Sequence, residues 1–351
     1  MKLFGLTIKK STLLACAAGL IAGALVRPAY GGFWAFISAC LAGVVVGVRE
    51  ALWPLAKGLL MIRGMKKMGR PALRLVTASE PGFSKVGGLP NLPEGTPWPF
   101  WKERPLSFIA QLDLAELKVA ETLPEMPAEG RLYFFYPAWW ADEWGQPWGD
   151  KPKHRGSLKV VYSLEAPGPK AEAPEELNQP GLFLIEDETG IYSERFLRAV
   201  PAESFPAPFF FAHIFDRTYG ESVWKTLYPL VYKAYDKHMT PYWEASSGLR
   251  HQMGGWSIPE QLDDMDLQCQ LASNGIAITY GAPDDVDPEV ADGAADWQLL
   301  LQLDSDPGDE KFSDQGDYMA WGAEGLIYFW IRKQDLARRN FNNMWAILQC
   351  T

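Results

Sequence analysis

The sequence predicts a sheet-rich α+β fold, internally duplicated and preceded by a transmembrane α-helical hairpin, and three observations carry that expectation. The first is a motif written twice: Phe108-Ile109-Ala110-Gln111-Leu112-Asp113 returns as Leu299-Leu300-Leu301-Gln302-Leu303-Asp304. The second is the aromatic run behind a glycine that follows each copy, Gly130-Arg131-Leu132-Tyr133-Phe134-Phe135-Tyr136 and Gly325-Leu326-Ile327-Tyr328-Phe329-Trp330-Ile331. Runs of this length and composition read as two strands of one sheet. The third is a pair of uncharged stretches, 16 residues from Ser11 to Val26 and 21 from Pro28 to Val48. As a helix the second reaches about 30 Å, the thickness of a bilayer core.

Those stretches set the first expected segment, residues 1–49, as a membrane hairpin in contact with the lipid bilayer through residues 11–48. Arg27 can snorkel and lengthen the shorter span, and Arg27-Pro28-Ala29-Tyr30-Gly31-Gly32 has the chemistry of a turn with an interfacial tyrosine. Small residues at four-residue spacing, Ala15, Gly19 and Gly23 against Ala39, Gly43 and Gly47, let two helix backbones approach. Lys2, Lys9 and Lys10 precede the hairpin, and Arg49, Lys57, Arg63, Lys66, Lys67 and Arg70 follow it. The positive-inside rule then puts both ends in the cytoplasm. A cleaved signal peptide ending near Val26 is the rival, but no small-x-small site precedes Arg27 and Pro28 to Val48 would still stop transfer. Residues 50–74 form a basic juxtamembrane segment, read either as an interfacial helix or as a helix end with a solvated linker.

Charge and cysteines bound the rest. Of the net charge of −10, residues 1–70 carry ten Lys/Arg against Glu50 alone, so the body is strongly acidic. An acidic body repels phosphate backbones, and nucleic acid is not expected as a partner. Cys16, Cys40, Cys269 and Cys350 show no C-x-x-C and no spacing that suggests pairing, which fits a reducing compartment.

The body is expected over residues 75–351, with a first half at 75–164, a Pro/Glu/Ala-rich connector at 165–180 and a second half at 181–351. Lys85 to Pro99 holds too many prolines for a helix or a central strand and reads as an irregular packed segment. His251-Gln252-Met253-Gly254-Gly255 answers Lys85-Val86-Gly87-Gly88 upstream of the second motif copy. Ala115–Val119 and Gln334–Arg339 read as short helices, Leu158–Leu164 and Gly181–Glu186 as strands, Asp216–Met239 as a helical rhythm interrupted at Pro229, and Met344–Leu348 as a final buried segment.

In this order the motifs, from Lys85-Val86-Gly87-Gly88-Leu89-Pro90 through Trp98-Pro99, the two Gln-x-Asp runs, Gly130 to Phe135, His251 and Trp321-Gly322, resemble the YwqG-like family, a bacterial domain of unknown function. The resemblance covers residues 75–351 and implies a single cytoplasmic α+β domain with an internal duplication and no assigned activity or cofactor. Here Trp321-Gly322-Ala323-Glu324-Gly325 departs from the family's Trp-Gly-Asp-x-Gly, and the membrane hairpin is an addition.

Candidate ligand-binding residues follow from the same motifs. Period two puts Gln111 with Asp113, and Gln302 with Asp304, on one face of their strands. The duplication would bring the four together near a pseudo-twofold axis, as a ligand site or as an internal network pinning the halves. His251 is the one histidine in a recognisable motif. No Cys or His neighbours it at ligand spacing, so no metal and no cofactor are expected. Asp304 to Glu310 reads as an exposed acidic turn, since Gln315 stands where an EF-hand needs Glu. Trp139, Trp140, Trp144 and Trp148 lie in one polar segment, either as a stacking surface for a sugar, cation or peptide partner or as a cap on the core.

Together these point to a membrane-tethered, cytoplasm-facing, non-enzymatic recognition domain at a bacterial inner membrane, with a protein partner at the Trp-rich loop. Two alternatives stay open. One is a hydrolase-type enzyme with a polar site between the halves, using Asp113, Asp304 and His251. The other is a structural subunit of a membrane assembly.

Overall fold

The computed structural model describes residues 2–3, 6–7, 63–64, 67–137, 147–178, 189–207, 229, 232–237, 239, 249–278, 286–306, 319–322 and 325–350. The hairpin expected over 11–48, the strand expected over 181–186 and Trp139, Trp140 and Trp144 lie outside these residues. Among the described residues no helix is long and apolar enough to cross a membrane. The chain divides into two compact units, Met1–Gly64 with Phe211–Ala234, and Met65–Phe210 with Tyr235–Thr351. In the first, β1 (Lys2–Leu3) pairs antiparallel with β2 (Leu6–Thr7). Of the helical rhythm expected over Asp216–Met239, residues 229, 232–237 and 239 are described, and they are helical.

The second unit is built on β3 (Arg70–Thr77), β4 (Lys85–Val86), β7 (Ser107–Asp113), β8 (Arg131–Tyr136), β9 (Lys159–Ser163), β10 (Arg195–Ser204), β11 (Gln252–Met253), β12 (Trp297–Asp304), β13 (Leu326–Arg332) and β14 (Trp345–Gln349). A two-stranded ribbon, β5 (Phe100–Trp101) with β6 (Arg104–Pro105), stands apart. The ten strands form one antiparallel sheet in the order β14-β13-β12-β11-β3-β10-β4-β7-β8-β9. The described helices of this unit are short: α1 (Val119–Thr122), α2 (Met265–Ser273), α3 (Pro288–Asp292) and α4 (Lys333–Ala337). The expected strand at 158–164 is β9 and the final apolar segment is β14. The helix expected at 115–119 instead begins at Val119, because Lys118 takes a left-handed φ of 52° that helical backbone cannot adopt.

The strand order reads alike from both ends, and the registers repeat with it. Lys85 lies opposite Gln111 and Val86 opposite Ala110; Gln252 lies opposite Gln302 and Met253 opposite Leu301. Ladders β7–β8 and β12–β13 each slip at the same point of the motif, between Phe108 and Ala110 and between Leu299 and Leu301. A bulge costs ladder bonds and bends the strand, so its recurrence marks a shared curvature. The pairing also crosses over. β3 opens the unit but sits beside β11, and β10 sits beside β4, while β3 and β10 pair along their lengths with Val76 opposite Arg198.

β7 and β12 are buried at nearly every residue, so both faces of the sheet are covered there. One face is covered by the sheet itself. Seven strand spacings separate β8 from β13, roughly 34 Å on a flat sheet at about 4.8 Å each, yet the rings of Phe134 and Phe329 stand 5.1 Å apart. The sheet curls until its arms meet. Leu112, Leu132, Leu303, Ile327 and Ile331 join those rings in one core, and Trp321 packs edge-on against Tyr136 at 6.1 Å.

This closure makes a testable demand. Phe134→Ala should lower the unfolding free energy by about 3–5 kcal/mol in urea titrations, with Phe329→Ala similar and the double variant losing less than the sum. A loss under about 1 kcal/mol would refute the closed arrangement.

Candidate functional site

The repeated motif organises the outer face of each arm. β4 and β11 last two residues each because Gly87-Gly88 and Gly254-Gly255 follow, all four with φ between +63° and +72°. A Cβ at Gly87 would come within 2.1 Å of the Ser193 carbonyl oxygen, so the turn requires glycine. The chain then runs across the sheet as irregular backbone whose polar groups need partners.

Gln111 and Gln302 supply them. The Gln111 Oε1 accepts from the Asn91 N–H at 2.8 Å while its Nε2 donates to the Phe83 carbonyl at 2.8 Å. The Gln302 Oε1 accepts from the Ile258 N–H at 3.0 Å while its Nε2 donates to the Arg250 carbonyl at 2.8 Å. Each carboxamide thus ties the chain before the short strand to the chain after the glycines. Tyr133 and Tyr328 complete the pattern, their hydroxyls donating to the carbonyls of Asn91 at 2.9 Å and Ile258 at 2.7 Å. Burial pushes the Tyr133 hydroxyl up to about 12, and it stays a donor.

The aspartates do different work in the two arms. Asp113 accepts at Oδ1 from the N–H groups of Ala115 and Glu116, both at 3.0 Å, and its Oδ2 stands 3.0 Å from the Arg131 Nε. Glu116 in turn accepts from the N–H groups of Phe83 and Ser84. Asp304 instead grips Arg250 in a fork, with Nε to Oδ2 and Nη2 to Oδ1 both at 2.9 Å. Burial works against the Arg250 cation, but Asp304 and Glu260 outweigh it and hold the group protonated. Arg250, Glu116 and Glu260 carried no motif in the sequence, and only the strand register reveals them.

The four motif residues therefore share a face within each arm, as expected, but they do not gather around one axis. In strand order, β11, β3, β10 and β4 stand between β12 and β7. The face on which the arms meet is the Phe134 and Phe329 face, and Gln111 and Gln302, each one residue out of phase with those neighbours, point away from it. The expected joint cluster of Gln111, Asp113, Gln302 and Asp304 is replaced by two separate networks.

His251 occupies a seat the repeat defines. Its Nδ1 accepts from the Asp304 N–H at 2.9 Å, and at the equivalent place the Ser84 Oγ accepts from the Asp113 N–H at 3.0 Å. A hydroxyl suffices for the fold, so the imidazole adds something. With Nδ1 accepting, the proton sits on Nε2, which is buried without a hydrogen-bond partner among the described residues. Burial lowers the His251 pKa; Asp304 and Asp306 raise it, and Arg195 and Arg250 oppose them. Arg195 itself pairs with Asp306 at 2.9 Å.

Trp148 lies at a cleft of about 430 Å³, shared with Asp150, Lys151, Gln261, Leu262, Gln268, Ile278, Leu348, Gln349 and Cys350. The chain reaches it by laying residues 147–150 along the edge of β14. The Trp148 carbonyl accepts from the Leu348 N–H at 3.0 Å, and the Gly149 carbonyl from the Trp345 Nε1 at 2.7 Å. Gly149 has no room for a side chain there, since a Cβ would stand 2.0 Å from the Ala346 carbonyl oxygen. Three of the four tryptophans expected to form a surface lie outside the described residues. Among the described residues no group of three or more His, Cys, Asp and Glu is placed to hold a metal ion.

The His251 environment gives a pH dependence with a definite sign. A histidine whose folded pKa lies below its unfolded value of about 6.5 binds more protons unfolded, so stability is full above about 6.5 and falls as pH drops through it. Urea midpoints should therefore fall between pH 7.5 and 5.5. His251→Ser, which restores the residue of the other arm, should flatten that slope whatever its effect at pH 7.5.

No curated protein matches the chain. A family model, the domain of unknown function DUF1963, matches residues 84–350, which take in both arms of the sheet except β3. The chain belongs to this DUF1963 family.

Proposed function

We propose that the chain is a recognition domain tethered to a bacterial inner membrane and facing the cytoplasm, with the cleft at Trp148 as its contact surface. The observation that carries the recognition reading is the cleft itself. It sets an indole and the apolar Leu262, Ile278 and Leu348 beside Asp150 and Lys151. In the sequence Trp148 follows Trp139, Trp140 and Trp144 within ten residues. An aromatic wall with polar groups at its rim suits a protein or peptide side chain that is apolar at its centre and polar at its edge. The Gln-x-Asp motif is left with a structural task, since both ends of each carboxamide are already bonded within the chain.

Tethering is supported by the uncharged stretches Ser11–Val26 and Pro28–Val48 and by the basic residues that flank them on the outer ends. Deleting residues 2–49 should move the protein from the membrane pellet to the supernatant on fractionation. Retention in the pellet after carbonate washing would overturn the tether.

Crosslinking and affinity capture of the full chain from its own membranes tests the contact surface. Trp148→Ala should leave the melting temperature within a few degrees and lower recovery of the captured partner at least tenfold. Equal recovery from the variant and the parent would remove the cleft from consideration.

A further inference from the structure

A ten-stranded sheet that does not close into a barrel has two edges, and the repeat makes them equivalent seats. β14 is sealed by its own chain: the Trp148 carbonyl takes the Leu348 N–H, and all five strand residues are buried. β9 is not sealed in that way. Among the described residues no backbone hydrogen bond outside its ladder with β8 involves residues 159–164. Lys159 is exposed, and Leu164, just past the strand, is 57% exposed.

The direction of the open groups follows from the ladder. The Gly130 carbonyl accepts from the Leu114 N–H, so Gly130 faces β7, and Arg131, Tyr133 and Phe135 turn their backbone to β9. Their partners Ser163, Val161 and Lys159 are bonded to β8. Val160, Tyr162 and Leu164 therefore direct N–H and C=O outward. The other arm agrees: Tyr162 opposite Leu132 corresponds to Leu348 opposite Ile327, and the Leu348 N–H points outward.

Natural edges of this kind carry proline, a bulge or a central charge that prevents pairing. Lys159-Val160-Val161-Tyr162-Ser163-Leu164-Glu165 has no proline or glycine, and its charges stand only at its two ends, with opposite sign. Laid antiparallel on a second copy about Tyr162, it sets Val160 against Leu164, so that outward-directed residues face each other and can exchange about six backbone hydrogen bonds. The same register brings Lys159 of each copy opposite Glu165 of the other, and both residues are exposed. Shifting the dyad by one residue either way loses that charge match.

We infer that β9 is a self-association edge: two copies of this chain pair β9 to β9, antiparallel about Tyr162, and join their ten-stranded sheets into one. The inference is independent of the cleft at Trp148, which lies at the opposite edge of the sheet.

Charge swapping tests it with the fold left alone. For the full chain in neutral detergent micelles, sedimentation equilibrium should show a monomer–dimer equilibrium. Lys159→Glu and Glu165→Lys should each weaken the dimer about tenfold, because each dimer contains the pair twice. The double variant should return to within about threefold of the parent. A protein that stays monomeric at tens of micromolar overturns the inference. So does a dimer that ignores both single reversals, or a double variant no better than the singles. Unchanged melting temperatures for the variants separate loss of association from loss of fold.

Discussion

A sheet covered on both faces must be covered by something, and here irregular backbone covers much of the outer face. Buried peptide groups without partners each cost about 1–3 kcal/mol, so the covering loop is the part of the molecule most in need of organisation. Glutamine meets that need because its side chain ends in one acceptor and one donor set, and it can bind an N–H and a C=O at once. Glutamate could take the N–H of Asn91 or Ile258 but would face the carbonyl of Phe83 or Arg250 with a second negative oxygen. The prolines of the first loop ease the same problem from the other side. Pro90, Pro93, Pro97 and Pro99 bring no N–H to be satisfied, while their carbonyls remain usable, as when Pro90 accepts from Ala171.

Two arms with one set of registers let each half serve as a control for the other. Gln111 and Gln302, Tyr133 and Tyr328, and the two glycine pairs make equivalent contacts, which marks them as what the fold requires. Where the arms differ, each carries charge of its own. Arg250, His251 and Asp306 of the second fall at the places of Phe83, Ser84 and Ala115 of the first. Lys85, Arg131 and Arg195 of the first fall at the places of Gln252, Leu326 and Leu73 of the second. The scaffold needs none of these charges in both arms, and it is at them that the chain departs most from its own repeat.

The strands at β7, β8, β12 and β13 were legible because a two-residue period and an aromatic run survive in both copies. The glycine pairs were legible as a correspondence, though not as the reason β4 and β11 are so short. Three things were hidden. That Gln and Asp face outward depends on which side of the sheet meets the other arm, and period two cannot distinguish the sides. The partners Glu116 and Arg250 lie 33 or more residues from some of the groups they bind, with no spacing to betray them. The crossover of β3 and β10 was hidden for the same reason: Arg70–Thr77 reads as a strand, but nothing local says that its neighbour is β11 rather than β4.

That crossover governs how the molecule comes into being. β3 is made first, yet its two neighbours arrive far later, Leu75 meeting Ala199 and Arg74 meeting Gln252. At ordinary elongation rates the second of these waits on the order of ten to thirty seconds behind the ribosome, with the β11 side of an apolar strand unpaired throughout. Residues 70–204 hold β3, β10, β4, β7, β8 and β9, neighbours in the sheet, so the first arm can form before β11 is made. The second arm must then be built onto β3, a strand already paired on its other side, and until β11 arrives that open side is the molecule's most vulnerable edge.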